Sequence, residues 1–263
     1  MKKTVVIKIG GAILDGYSQG NTSALTDLLS VISKIENQPV VIVHGGGCIV
    51  DEMLAQAGFN TEKKNGLRIT PKEQIPVISG ALAGNVNKAI VASAVSIGLQ
   101  AVGLSLNDGQ MVQCQLSPLQ LGQVGVPSPY SSALLDTLLK AKFLPIVSSI
   151  GALSNGDLVN VNADDAAVAI CQLLNAELLL LTDVNGVKGA EGEYLTSLNH
   201  QQAEELINQG VIAGGMTAKV NAALHAANKL RRSIAVASWQ SPEQIIDLLN
   251  GGKIGTRIQP NGC

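Results

Sequence analysis

Val40-Val41-Ile42-Val43-His44-Gly45-Gly46-Gly47 is the stretch on which the reading of this chain turns. It is an apolar, strand-like run that passes directly into three glycines. Glycine lets a backbone turn sharply and bring its N–H groups close to an anion. A second run, Thr4-Val5-Val6-Ile7-Lys8-Ile9, ends the same way in Gly10-Gly11, with a lysine embedded in it. Two strand-to-glycine turns in the first fifty residues, one carrying a cation, imply a phosphate site built from two loops.

Working outward, short β-branched runs alternate with longer helical patterns. Strands are predicted at Val5–Ile9, Val40–Val43, Gln100–Leu104, Leu144–Ser149, Leu178–Thr182 and Ile234–Ala237. Helices are predicted at Ser23–Ile35, Cys48–Gln56, Pro76–Ile97, Ser132–Ala141, Asp165–Leu174, Gln201–Gln209, Thr217–Leu230 and Pro242–Asn250. This βαβα alternation implies an α/β fold, a mainly parallel sheet with helices on both faces. Runs such as Leu178-Leu179-Leu180-Leu181 are apolar throughout, as strands covered on both sides are. Around the turn signal Asn107-Asp108-Gly109 the pattern changes, and Met111–Gln115 and Gly122–Val126 read as hairpin strands decorating the main sheet. A seam near Leu174–Glu177 divides the chain into lobes at 1–174 and 175–263.

Composition narrows the function. In 263 residues, hydrophobic side chains make up 46% and charged ones 14%, which excludes disorder. The net charge is −2 and aromatics are 2%, so neither a basic stripe nor base-stacking rings are available for nucleic acid. The four cysteines, Cys48, Cys114, Cys171 and Cys263, have no C-x-x-C spacing and read as reduced thiols, not a disulfide or zinc framework. Ala163–Leu181 reads as the richest apolar stretch, and Asp164, Asp165, Asn175 and Glu177 interrupt it before membrane-helix length. Lys8 and Gly10-Gly11 break any signal-peptide pattern after Met1-Lys2-Lys3, which points to the cytosol.

The motifs each have a bland reading. There is no G-x-x-x-x-G-K-[ST] loop, and the glycines after His44 are too compressed for G-x-G-x-x-G. Gly16-Tyr17-Ser18-Gln19-Gly20 matches a hydrolase elbow and His44-Gly45-Gly46-Gly47 an oxyanion loop. Their order is reversed and Ser18 does not directly follow a strand, so Ser18 reads as a loop residue. Lys8 is costly in an apolar strand unless an anion compensates it, whereas a strand-end lysine can reach solvent. The following glycines favour phosphate contact. In Asn160-Val161-Asn162-Ala163-Asp164-Asp165, Asn162 suits an N-cap and the two acids suit a helix dipole. At most one of those acids can face a given cleft. Lys219, soon after Gly214-Gly215, opposes its helix dipole unless it reaches toward an anion. Asp183-Val184-Asn185-Gly186-Val187 follows an apolar strand, where α/β sheets place ligands. His200 and His225 read as surface or packing residues without partners.

Taken together, Lys8-Ile9-Gly10-Gly11, Val43 to Gly47, Lys64-Asn65-Gly66-Leu67-Arg68-Ile69-Thr70-Pro71, Asn160 to Asp164, Leu181 to Val187 and Gly214 to Lys219 resemble the amino acid kinase family, with Gly255-Thr256-Arg257-Ile258 also similar. The Asn65 to Thr70 segment resembles the members that act on N-acetyl-L-glutamate. The resemblance implies a three-layer αβα sandwich and transfer of the ATP γ-phosphoryl group to the substrate γ-carboxylate, a step of arginine biosynthesis, with magnesium bridging the phosphates. It implies that Lys8 and Lys219 stabilise charge on the phosphoryl group and that Asp164 holds both ammonium groups. Gly11 and Gly46 would supply N–H contacts, and Gly46 and Gly47 would line the acetylglutamate site. Arg68 would bind the α-carboxylate, helped by Asn160, with Asn162 also at the substrate. Asp183, Val184, Asn185, Gly186, Val187 and Lys188, with Val211, Ile212 and Ala213, would bound the ATP pocket. Arginine-inhibited members carry an extra helix before the first strand. Entry into a strand by Thr4 therefore implies an arginine-insensitive homodimer. A sibling acting on another acidic amino acid or carbamate, or a silent binding module on the same scaffold, are the alternatives. Arg68 argues against the first, and the Lys8, Asp164 and Lys219 set argues against the second.

Overall fold

The computed structural model describes residues 2–14, 22–64, 66–252 and 254–262. The Gly16 to Gly20 elbow match with Ser18, together with Asn65 and Cys263, lies outside the described residues. The first half runs β1 (Val5–Ile9), α1 (Ser23–Ile32), β2 (Val40–His44), α2 (Gly47–Gln56), β3 (Glu62–Lys64), β4 (Leu67–Ile69), α3 (Ile75–Ser79), α4 (Asn87–Ser96), β5 (Ala101–Ser105) and β6 (Val112–Leu116). There follow β7 (Val124–Pro129), α5 (Ala133–Lys140), β8 (Leu144–Ser148), β9 (Ile150–Ala152), β10 (Leu158–Val161), α6 (Ala163–Leu174) and β11 (Glu177–Thr182). The chain closes with β12 (Ser197–Leu198), α7 (His200–Asn208), α8 (Gly215–Leu230), β13 (Ile234–Ser238), α9 (Gln244–Leu249) and β14 (Thr256–Ile258).

Eight strands form one sheet in the order β12-β14-β13-β11-β1-β2-β8-β5. Its pairs are parallel except β13 with β14. Period-two alternation sorts the side chains onto two faces. Val6, Val41, Val43, Val147, Leu178 and Leu180 join one core with α6 and α8. Val5, Ile7, Ile9, Ile42, Ile146 and Leu179 join the other, under α1, α4 and α9. Helices therefore cover both sides, the three-layer α/β arrangement with a mainly parallel sheet that the sequence implies.

The register places the chemistry. Ile9 lies level with His44 in β2 and with Leu181 in β11. The glycines after β1, the glycines after β2 and Asp183 after β11 thus emerge side by side at one carboxyl edge.

Other elements depart from the sequence reading. The predicted hairpin is real, but β6 and β7 belong to a separate four-stranded sheet, β6-β7-β10-β9. The second strand extends through Pro127 and Pro129. Those prolines are tolerated because β10 pairs β7 at Val124 and Gly125, so they sit where one side of β7 has no ladder partner among the described residues. The predicted helix Pro76–Ile97 is broken by a π-helical segment, Gly80–Val86, between α3 and α4. By length and composition the run Lys72–Ser96 is apolar enough to cross a membrane, so Ala163–Leu181 is not the limiting stretch. Here that run packs as a core helix, burying Ile78, Leu82, Val86, Ile90 and Ala94 along one stripe.

Candidate active site

The two glycine turns meet. Gly45 N–H donates to Ile9 O at 3.3 Å, tying the second turn to the end of β1. A Cβ on Gly11 would lie 3.4 Å from Gly47 N, so the loops are in backbone contact. A Cβ on Gly46 would come within 3.0 Å of Val86 and 3.1 Å of Leu82, both on the π-helical segment. Gly47 begins α2, and nothing stands within 4 Å of where its Cβ would be. The N-terminus of a helix is a position whose backbone N–H groups suit an anion.

His44 is structural. It is fully buried, its Nδ1–H donates to Gly45 O at 2.8 Å and its Nε2 accepts from Asn87 Nδ2 at 3.0 Å. Asn87 Nδ2 also donates to Ile146 O at 2.9 Å. Burial lowers the imidazole to about 4; the Gly45 bond opposes that and the Lys88 charge adds to it. His44 is thus neutral at pH 7 and braces the entry to the glycine turn.

Lys8 lies on the face of β1 covered by α6, and its Nζ meets Asp164 Oδ1 at 2.8 Å. Asn162 caps α6, its Oδ1 accepting from Asp164 N and Asp165 N at 2.8 and 3.3 Å. The two acids then diverge, as their adjacency requires. Asp165 takes Lys229 Nζ at 2.9 Å and has His225 Nε2 at 3.7 Å, both on α8. His200 also has a carboxylate neighbour, Glu204 at 3.6 Å, which corrects the expectation that neither histidine has a partner.

Lys219 does not join Lys8 on Asp164. Its ammonium pairs with Asp183, the first residue past β11, and that contact lowers the Asp183 carboxyl despite partial burial. The reason is local. Lys219 rises from α8 beside the end of β11, lining one apolar pocket with Thr182, Val184, Gly186, Val187 and Met216, which puts Asp183 within its reach.

Next to the glycines is a cavity of about 160 Å³ lined by Gly45, Gly46, Gly47, Arg68, Asn160 and Asn162, with apolar walls from Val50, Leu82, Val124 and Val161. Arg68 reaches it from the β3–β4 hairpin. Its Nη2 donates to Gly47 O at 3.3 Å, and its Nη1 donates to Thr61 Oγ1 at 3.2 Å and lies 2.5 Å from Asp51 Oδ1. Asn160 Nδ2 donates to Thr70 Oγ1 at 3.3 Å, and Thr70 is wholly buried. On the other side, Val187 N–H donates to Thr256 Oγ1 at 2.9 Å, and that hydroxyl donates to Leu195 O at 2.7 Å. Thr256 therefore pins the Asp183–Lys188 loop from β14. Val187 and Ile212 are buried, while Asp183, Asn185, Lys188, Val211 and Ala213 are exposed around them. The Lys188 ammonium stands 5.6 Å from the Tyr194 ring centroid.

A profile described as the amino acid kinase family matches residues 3–238. The chain belongs to the amino acid kinase family. It is 74% identical to the acetylglutamate kinase of Colwellia psychrerythraea strain 34H, covering 98% of each chain. It is 48% identical to the acetylglutamate kinase of Aeromonas salmonicida strain A449, again over 98% of each. Among solved structures it superposes on a carbamate kinase from Giardia with a TM-score of 0.69 and 19% identity, covering 98% of this chain and 99% of that one, a likeness of fold.

In this amino acid kinase scaffold the structure brings Lys8, Asp164 and the glycines of both turns to one edge, with Arg68, Asn160 and Asn162 around the adjoining cavity. Asp51, Thr61 and Asn87 are supports that sequence reading missed, while Thr70 and Thr256 stood in the quoted motifs without a role. Of those three, Asp51 left a signal, as an acid one turn past Gly47 on α2.

Proposed function

We propose that this chain transfers the γ-phosphoryl group of ATP to the γ-carboxylate of N-acetyl-L-glutamate, forming the acyl phosphate and ADP in arginine biosynthesis. The observation that carries this reading is 74% identity to an acetylglutamate kinase along nearly the whole of both chains. The cavity is consistent with it, since it offers one guanidinium, two asparagine side chains and apolar walls beside the glycine turns.

The chemistry needs no base. A Glu-type carboxyl titrates near ~4.3, so the nucleophile is ionised at neutral pH. One of its oxygens forms the new O–P bond while the Pγ–O bond to ADP breaks, and no proton moves. The barrier is bringing two anions together, which positioning and charge stabilisation overcome. Lys8, held by Asp164, and Lys219 would neutralise the phosphoryl group; Lys219 must leave Asp183 to do so. Gly11 and Gly46 would donate N–H bonds to it, while Gly47, Arg68, Asn160 and Asn162 hold the acetylglutamate. Asp183, Val184, Asn185, Gly186, Val187 and Lys188, with Val211, Ile212 and Ala213, would bound the nucleotide.

Magnesium would arrive on the nucleotide, whose phosphate oxygens suit a hard cation, and would supply further charge neutralisation. Among the described residues no group of three His, Cys, Asp or Glu side chains is placed to hold a metal by itself.

We also infer two lobes, 1–174 for acetylglutamate and 175–263 for ATP. In support, among the described residues the cavity is lined from Gly45 to Ala163 and the apolar pocket beside Lys219 from Thr182 to Ile258. A cytoplasmic homodimer completes the reading; the edge strand β5, with one side unpaired among the described residues, suits a second copy. The test is ADP release with ATP, magnesium and N-acetyl-L-glutamate, with free glutamate and aspartate as controls. Turnover on acetylglutamate is expected, and turnover only on a control would overturn the substrate.

A further inference from the structure

We propose that Asp51 is the positioning residue that sets Arg68 for the substrate carboxylate, an inference that rests on the reading of Arg68 just given. The β3–β4 hairpin has three residues per strand, too small to hold its shape alone. It also carries an internal conflict, because Lys63 and Arg68 are directly opposite each other across the strands. Like charges so placed repel.

Asp51 resolves that conflict from outside. It lies on α2 four residues past Gly47, on the same helix face. Its Oδ1 is 2.5 Å from Arg68 Nη1 and its Oδ2 accepts from Lys63 Nζ at 3.0 Å, one oxygen for each cation. Burial pushes the Asp51 carboxyl up, but Arg68 and then Lys63 outweigh it and hold the group below its ordinary range. Two cations on one carboxylate leave a net positive charge for a ligand.

The donors of Arg68 are thereby sorted. Its side chain is only 9% exposed, so few rotamers are open to it. Nη1 is taken by Asp51 and Thr61, and one Nη2 hydrogen by Gly47 O. The Nε–H and the second Nη2–H have no partner among the described residues, and together they form a fork that matches a carboxylate. The same carboxylate ties the hairpin to the helix that begins with Gly47, so fork and glycine turn are held in one register. Asp51 touches neither substrate nor phosphate; it acts through Arg68.

The test is steady-state kinetics on the full chain carrying Asp51→Asn, Asp51→Glu, Arg68→Ala and the double variant Asp51→Asn/Arg68→Ala. Loss of one charged bond predicts that Asp51→Asn raises KM for acetylglutamate about tenfold while kcat and KM for ATP stay within about twofold. Asp51→Glu should return KM to within about threefold of the parent. Asp51→Asn should add less than about twofold to Arg68→Ala, since both act on one contact. An unchanged acetylglutamate KM in Asp51→Asn, a parallel rise in KM for ATP, or a full tenfold addition to Arg68→Ala would each overturn the proposal. If Arg68→Ala itself leaves KM unchanged, the assignment of Arg68 falls and takes this one with it. If Arg68→Ala raises KM and Asp51→Asn does not, only the role of Asp51 falls.

Discussion

Lys8 and Lys219 are assigned the same electrostatic task and are held in opposite ways. Lys8 is embedded in the middle of the sheet, between β11 and β2, with its side chain 17% exposed against an Asp164 whose helix is capped by Asn162. Lys219 stands 39% exposed on the first turns of α8, against an Asp183 that is 45% exposed on a loop. An exposed ion pair of this kind contributes little to stability and is readily exchanged for another anion. The side lined by Arg68, Asn160 and Asn162 is built on bracing contacts, from His44, Asn87, Thr70 and Asp51. The side around Asp183 combines one pinned loop, at Thr256, with an exchangeable lysine. One half is thus preorganised, and the other holds an ion pair that can exchange.

The strongest way to break this comparison is to remove each cation. Lys8→Ala and Lys219→Ala should each lower kcat by ~10²–10³, the effect of losing one preorganised donor in an oxyanion-type site; near-parental turnover would remove that lysine from the site. Arginine replacements sharpen the contrast. Lys8→Arg should cost nearly as much as alanine, because a planar guanidinium does not reproduce the point contact that the Lys8 ammonium makes with Asp164. Lys219→Arg should keep much of the activity, and equal losses in the two would erase the distinction.

The bracing side predicts a pH effect. His44 lies at about 4 when folded and near 6.5 when unfolded, so between those values the unfolded chain binds more protons. Its contribution is complete above pH 6.5 and is lost as pH falls toward 4, by roughly 3 kcal/mol in all. Urea midpoints measured from pH 7 to 4.5 should fall less steeply in His44→Asn than in the parent; parallel curves would contradict the assignment.

Arg68→Ala should raise KM for acetylglutamate ~10- to 100-fold, the range for a lost charged hydrogen bond, with a smaller change in kcat. The smallest effect belongs to the exchangeable pair. Asp183→Asn should change stability by less than about 1 kcal/mol, as exposed pairs do. A large loss measured by urea unfolding would show that the Lys219 contact is a fixed brace after all.

Much of this was legible locally. β1, β2, β8, β11 and β13 stand within a residue or two of where their apolar runs place them, because a strand covered on both faces must be apolar throughout. Asn162 was readable as a cap because capping spans only three residues. β9, β10, β12 and β14 have two to four residues each, too few for periodicity to register. The break at Gly80–Val86 was hidden because its apolar spacing still resembles a helix.

The sequence by itself determined the layered α/β fold, the two glycine turns and the set of charged residues around them, since each depends on neighbours along the chain. Tertiary structure decided the partners. Lys219 meets Asp183 and not Asp164, Asp51 bridges Lys63 and Arg68, and Thr256 pins Val187 across 69 positions of chain. Those choices follow from which side chains the parallel register and the helix faces bring within a few ångströms, and no local pattern encodes that distance.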